Sequence, residues 1–331
     1  MSAPLLGHER IREQLARSAD ADTLHHAYLF EGPPGLGKRR VAMWLAQYVN
    51  CTSANRPCGT CSRCVQIAAG THPDVIVLSP DPTRATQTIA VDAVREVIRK
   101  AGYHRYDSAR RFIVVDPADA MMEPAANALL KTLEEPTDGT GFVLVVSSAS
   151  SLLPTIVSRC QRVRFGAVDT GAIEGWLAAQ GLSDASVAAR AALGCPGRAL
   201  ALATGGLEAR RDARSTLVRI TSEPLPVAFK VTEDALKKKA KTDWSSTVDA
   251  WFAVVEELLR DASIHGSGSG LPLLNQDAPD VVAAWSARLY PSGIQRVAQA
   301  LDVAREQLAV QANGRLVIDA FFATLRAELG V

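Results

Sequence analysis

No apolar stretch in the chain approaches the ~18–20 residues needed to cross a bilayer, and none follows the polar start at His8, Glu9, Arg10 and Arg12. Neither a membrane span nor a secretory leader is therefore expected, and the chain reads as cytosolic. It also has almost no net charge, with 36 Lys and Arg against 35 Asp and Glu. That excludes a protein whose main hold on nucleic acid is its own field, while leaving room for a few phosphate contacts inside a larger assembly. Cysteine is scarce, six in 331 residues, yet four of the six crowd into 51–64. The length allows two or three domains with separate cores. Hydrophobic residues make up 47% and Ala is abundant, which predicts that much of the chain is helical.

The most telling absence is a hydroxyl. Gly32-Pro33-Pro34-Gly35-Leu36-Gly37-Lys38 follows the P-loop pattern G-x-x-x-x-G-K, but Arg39 stands where a magnesium-binding Ser or Thr belongs. Ala27–Phe30 reads as a buried strand feeding the loop, and 39–50 as a helix with Val41, Ala42, Leu45, Ala46 and Val49 on its apolar face. Strand, glycine loop and helix are the context a phosphate-binding loop requires. Its glycines let backbone N–H groups wrap phosphate and its Lys reaches the terminal oxygens, but Arg39 cannot ligate a cation. A second absence lies at the end of the strand-like run Arg111–Val115. Asp116 stands at a metal-holding position, but Pro117 follows where a hydrolase places a Glu to polarise water. Two losses at the place of chemistry predict a loop that hydrolyses ATP poorly.

Cys51, Cys58, Cys61 and Cys64 have the spacing of a tetrahedral Zn²⁺ site, with Pro57 and Gly59 supplying turn chemistry. Disulfides are the competing reading, disfavoured in the cytosol. An iron–sulfur cluster is another; its ferredoxin pattern places a further Cys followed by Pro beyond Cys64, and 67–70 contain neither. A closed Cys₄ site has no open position, so its role is structural. Cys160 and Cys195 read as small buried residues. A further buried strand, Phe142–Val146, ends in Ser147 and Ser148, and Ser158-Arg159-Cys160 follows a short helix. An Arg there is placed to reach a neighbouring subunit's phosphate, since guanidinium is always charged and forks onto oxygens.

Several segments in order resemble one family. Ala126-Asn127-Ala128-Leu129-Leu130-Lys131-Thr132-Leu133-Glu134-Glu135-Pro136 and Thr155-Ile156-Val157-Ser158-Arg159-Cys160-Gln161 are similar to signatures of bacterial clamp-loader AAA+ subunits of DNA polymerase III. So are Leu24–Phe30, the cysteine insert after the first loop helix, His72-Pro73-Asp74, and Gly194-Cys195-Pro196-Gly197-Arg198-Ala199-Leu200. The resemblance spans about residues 5–200. It implies an α/β AAA+ P-loop core over 1–165 with a zinc knuckle inserted at 51–64, a small helical lid over 166–207, and an all-α collar over 208–331. Arg39 and Pro117 place the chain in the family's degenerate branch rather than with its motor subunits, gamma and tau. The implied site residues are a vestigial nucleotide set (Gly32, Pro33, Pro34, Gly35, Gly37, Lys38, Arg39, Asp116 and the lid's Arg198) and Arg159 acting in trans as an arginine finger. The implied partners are the gamma/tau and delta subunits in a hetero-pentameric ring, with the sliding clamp and primer-template DNA reached through the complex. Zn²⁺ is the implied structural cofactor, and no ATP turnover of its own is implied. The alternative is a self-sufficient loader ATPase; a P-loop kinase explains neither the cysteines nor the signatures.

The remainder has helical period. Val248, Trp251, Phe252, Val255, Leu258 and Leu259 fall on one face, and two helices are expected between Ile294 and Leu329, separated near Asn313-Gly314. Gly266–Gly270 reads as a flexible loop. The aromatics Trp251, Phe252, Phe321 and Phe322 read as core, and the run Lys237-Lys238-Lys239 with Lys241 as a solvated helix face.

Overall fold

A computed structural model describes residues 5–81, 88–237, 244–309 and 313–331. They fall into two compact units, one running to Trp176 and including Ala192–Ala199, the other comprising Leu177–Ala191 and Leu200–Val331. In chain order the first segment gives α1 (Glu9–Asp20), β1 (Ala27–Glu31), α2 (Lys38–Asn50), α3 (Ser62–Ala69), β2 (Val75–Leu78), α4 (Val91–Ala101) and β3 (Arg111–Val115). There follow α5 (Glu123–Glu134), β4 (Thr140–Val146), α6 (Pro154–Val157), β5 (Gln161–Arg164), α7 (Thr170–Ala178), α8 (Ala185–Ala191) and α9 (Pro196–Ala201).

The five strands form one sheet in the order β2-β3-β4-β1-β5, every pair parallel. A parallel sheet covered by helices on both faces wants near-continuous apolar strands, and β3 and β4 are buried along their whole length. Successive side chains go to opposite faces. Leu29, Ile113, Val115, Phe142 and Leu144 join one core with α4 and α5 residues such as Val94, Leu129 and Leu133. Tyr28, Phe30, Phe112, Val114, Val143 and Val145 join the other, against Val41, Leu45 and Ala46 of α2. Two adjacent parallel strands, β1 and β4, thus end side by side, with Glu31 in register with Val146. The chain leaves β1 at Gly32 for the loop. The α2 helix starts one residue earlier than expected, at Lys38, with Gly37 as its N-cap at φ 87°, a backbone state that needs no side chain.

The start of β3 carries a buried ion pair. Arg111 is 2.9 Å from Asp74, and both are almost fully enclosed. The same guanidinium donates to the carbonyls of Lys100, Ala101, Tyr103 and His104. The His72-Pro73-Asp74 segment is therefore an anchor for the chain that enters β3.

The second unit is helical, with α10 (Leu207–Ser222), α11 (Leu225–Lys237), α12 (Trp244–Ser267), α13 (Pro279–Arg288), α14 (Pro291–Ala309) and α15 (Gly314–Glu328). All six positions read as one face of α12 are buried. Trp251 meets Phe322 at 5.6 Å and Phe252 meets Phe321 at 5.0 Å between ring centroids, both edge-on, so these aromatics are core. Arg210 (paired with Glu257 at 2.7 Å) and Arg214 (paired with Asp277 at 2.6 Å) hold α10 to α12 and to the irregular chain after it. Two expectations need adjustment, and a third falls on residues that are not described. The glycine–serine loop opens only at Gly268, because α12 continues through Ser267, whose hydroxyl donates to the Ile264 carbonyl before Gly268 turns at φ 62°. Cys160 is half-buried rather than enclosed, lying against the α5 side of the sheet. Lys237 ends α11, and Lys238, Lys239 and Lys241 lie outside the described residues.

Candidate functional site

The fold places three groups of candidate residues at separate points of the sheet unit. At the carboxyl end of β1 the loop runs from Gly32 to Lys38, with Gly32, Gly35 and Gly37 all at positive φ. The Gly32 N–H donates to Val146 O at 3.2 Å, tying the loop's entry to the neighbouring strand. Lys38 is buried, and its ammonium donates to the carbonyls of Gly32 and Pro33, the latter at 2.8 Å. Burial pulls its pKa below the ordinary lysine value, opposed by the charges of Asp116 and Asp119. Asp116 follows β3, and its carboxylate lies 3.8 Å from the Arg39 guanidinium. Burial raises the Asp116 pKa, while Arg39 and then Lys38 pull the other way. Arg39, which replaces the metal-binding hydroxyl, and Asp116, the metal-holding carboxylate, thus face each other. The α9 end also comes to the loop: Gly197 N–H donates to Gly35 O at 2.8 Å, and a Cβ on Gly35 would sit 3.2 Å from the Arg198 nitrogen. A side chain there would press the neighbouring backbone a few tenths of an ångström, so Gly35 serves packing as well as the turn at φ 84°. The His8 ring also contacts Leu36 O at 2.9 Å, a contact between residues 28 positions apart that no local pattern announces.

The cysteines form a separate centre. All four sulfurs of Cys51, Cys58, Cys61 and Cys64 lie within 4.8 Å of one another, and those of Cys51 and Cys61 are 4.0 Å apart. With Zn–S bonds of ~2.3 Å, the edges of a tetrahedron are roughly 3.8 Å, so the four donors suit a single ion. Backbone N–H groups point at the sulfurs: Ser53 and Cys58 at Cys51, both 3.4 Å, Cys61 at Cys58, 3.3 Å, and Cys64 at Cys61, 3.5 Å. Such donors favour thiolate. Hydrogen bonds from Thr60 and then from the Cys61 backbone lower the Cys58 pKa to about 6. Burial pushes Cys64 up to about 12, so that sulfur ionises readily only beside a compensating cation. These four residues could hold a metal ion. The knuckle is fixed to the sheet unit by Gln47 donating to Cys64 O at 2.8 Å and by Arg63, which donates to Asn50 O and pairs with Asp107 at 2.5 Å.

Arg159 stands apart from both. It lies just past α6 with its side chain about one-third exposed, paired with Glu134 and donating to Thr155 O at 2.8 Å. On the neighbouring edge strand, Arg162 and Arg164 both approach Glu31, at 2.7 and 3.7 Å. That carboxylate also accepts the Ala149 N–H, and these bonds lower its pKa. No motif in the sequence gives Glu31, Asp119 or Glu134 a role. Their partners lie 25 or more residues away in the case of Glu31 and Glu134, and no local pattern announces such pairs.

Known proteins give the following likenesses. The family described as "DNA polymerase III, delta subunit" matches residues 7–169. The DNA polymerase III subunit delta' of Escherichia coli K12 is 33% identical over 89% of this chain and 86% of that protein. The delta' subunit of Bacillus subtilis is 38% identical, over 53% of this chain and about half of its own length, 52%. The gamma/tau subunit of Mycobacterium tuberculosis H37Rv is 36% identical over 49% of this chain and 28% of its own. Among solved structures, a DNA polymerase III gamma subunit-related protein from Thermotoga maritima superposes with a TM-score of 0.57 at 18% identity, covering 96% of this chain and 99% of that one. That likeness is one of fold.

Proposed function

The chain belongs to the family of DNA polymerase III delta' subunits, and from that premise we propose that it serves as the non-hydrolysing subunit of a bacterial clamp loader. In this reading it joins gamma/tau and delta subunits in a five-membered ring that sets the sliding clamp on primed DNA. Residues 166–207 act as its lid and 208–331 as the collar that holds the ring together.

The observation that carries the degenerate site is the pairing at the loop. The Arg39 guanidinium lies beside Asp116, the carboxylate that would hold magnesium in a hydrolysing relative. A guanidinium there supplies charge but no metal-ligating atom, and Pro117 supplies no base. Lys38 is already bonded to two loop carbonyls, so phosphate would have to displace them. The loop is best read as a retained structural turn. Cys51, Cys58, Cys61 and Cys64 would hold Zn²⁺, which supplies a cross-link and no chemistry, since four sulfurs close the coordination sphere.

Arg159 is the group left for catalysis, in a neighbour's site. It is partly exposed, permanently charged and fixed at its base by α6. Arginine fingers of this kind accelerate phosphoryl transfer by about 10³–10⁵. The test is clamp- and DNA-stimulated ATP hydrolysis by the reconstituted loader with Arg159→Ala in this chain alone. A deep loss with the complex intact is expected. An unchanged rate would reduce Arg159 to a surface residue, and turnover by the isolated wild-type chain would overturn the degenerate-site reading.

A further inference from the structure

Resting on the reading of Arg159 as an arginine that acts in trans, we propose that Glu134 is its positioning residue. The guanidinium is gripped from two elements. Nη2 donates to the Glu134 carboxylate at the end of α5, and Nη1 donates to Thr155 O in α6 at 2.8 Å, with the Ser158 hydroxyl at 3.5 Å. An arginine held only through its flexible stem samples many rotamers; one held at both terminal nitrogens has its plane fixed. The exposed remainder of the fork is then presented to whatever lies beyond α6.

The placement of Glu134 has little other physical reason. It is the last residue of α5, where the helix dipole disfavours a carboxylate. Its side chain is about half exposed, so the pair adds little to folding. The carboxylate of Glu31 is engaged by Arg162, Arg164 and the Ala149 N–H. Glu134 is therefore the acid matched to Arg159, as Glu31 is to the two arginines of β5. A carboxylate that contributes little to stability, yet fixes a cation whose direction matters, is suited to pre-organisation. Small displacements of a catalytic group cost rate steeply.

The experiment is steady-state ATP hydrolysis by the reconstituted loader with this chain as wild type, Glu134→Ala, Glu134→Asp, Glu134→Gln, Arg159→Ala and the Glu134→Ala/Arg159→Ala double variant. Assembly of each is checked by gel filtration. Glu134→Ala is expected to lower kcat about fivefold, on the order of 1 kcal/mol at 1.36 kcal/mol per tenfold, with KM for ATP unchanged. Glu134→Asp should recover part of the rate and Glu134→Gln less, because a neutral amide cannot match the charge. In the Arg159→Ala background, Glu134→Ala should cost nothing further. A deep loss for Arg159→Ala with a wild-type rate for both Glu134→Ala and Glu134→Gln would overturn the proposal and leave the finger standing. Faster turnover without Glu134 would also overturn it, showing a restraint instead. If Arg159→Ala itself is silent, the underlying reading fails first. Should Glu134→Ala not assemble, Glu134→Gln, of nearly the same shape, decides: a kcat equal to wild type refutes positioning.

Discussion

Replacing Asp74 with Asn tests whether the sheet unit depends on the ion pair at the start of β3. One carboxylate oxygen receives Arg111 at 2.9 and 3.3 Å. The other receives the Tyr106 and Asp107 N–H groups at 2.8 and 3.1 Å and the Ser108 hydroxyl at 2.9 Å. An amide in the same place must turn its NH₂ toward one of these sets. Facing the backbone, it orphans two N–H donors at about 1–3 kcal/mol each. Facing the guanidinium, it leaves a buried charge without its counter-ion, about 3–5 kcal/mol, softened by the four carbonyls that Arg111 keeps. Either way Arg111 loses its counter-charge, and the loss is about 3–5 kcal/mol. At about 2–4 °C per kcal/mol for a domain of 150–250 residues, the melting midpoint falls by roughly 10 °C.

The pH dependence of that loss has a fixed sign. Burial alone would raise the Asp74 pKa, but the Asp107 N–H, Arg111, Ser108 and the Tyr106 N–H outweigh it and hold it below the ordinary 3.8. A depressed carboxylate contributes stability fully above the unfolded value and loses it as pH falls through the folded one. The gap between wild type and Asp74→Asn should therefore be constant from pH 7 down to about pH 5 and shrink below about pH 4. Urea unfolding across that range measures it. A variant within 1 kcal/mol of wild type at pH 7, or a gap that widens on acidification, would refute the reasoning.

Two further predictions concern the candidate sites. Cys61→Ser should lower zinc content in metal analysis and speed hydrogen exchange across 51–64 without changing which partners bind, because ion binding at such sites is worth on the order of 10 kcal/mol to a segment with little core of its own; a wild-type protein purified without zinc would end the claim. Lys38→Ala should change clamp loading less than twofold, since the ammonium serves loop carbonyls; a loss as deep as that expected for a hydrolysing subunit would mean that the loop works on nucleotide.

Much of this was legible in the linear sequence, because the signals were local. A P-loop is seven consecutive residues whose glycines and Lys must be neighbours, a knuckle is written by two-residue gaps, and a buried parallel strand is an apolar run. Chemistry fixed by residue type was equally plain: Arg39 has no metal-ligating atom and Pro117 has no base, wherever the chain puts them. Tertiary structure alone decided who faces whom. It set Arg39 at the start of α2 against Asp116 at the end of β3, seated Gly197 on Gly35, buried Asp74 with Arg111, and gave Arg159 its carboxylate from the end of α5. Each of these contacts joins residues separated by dozens of positions, and none has a period or a spacing to betray it. The parallel sheet makes them possible: it carries distant segments to the same edge, where ordinary Coulomb attraction and hydrogen bonding between groups with no local relation select the pairs.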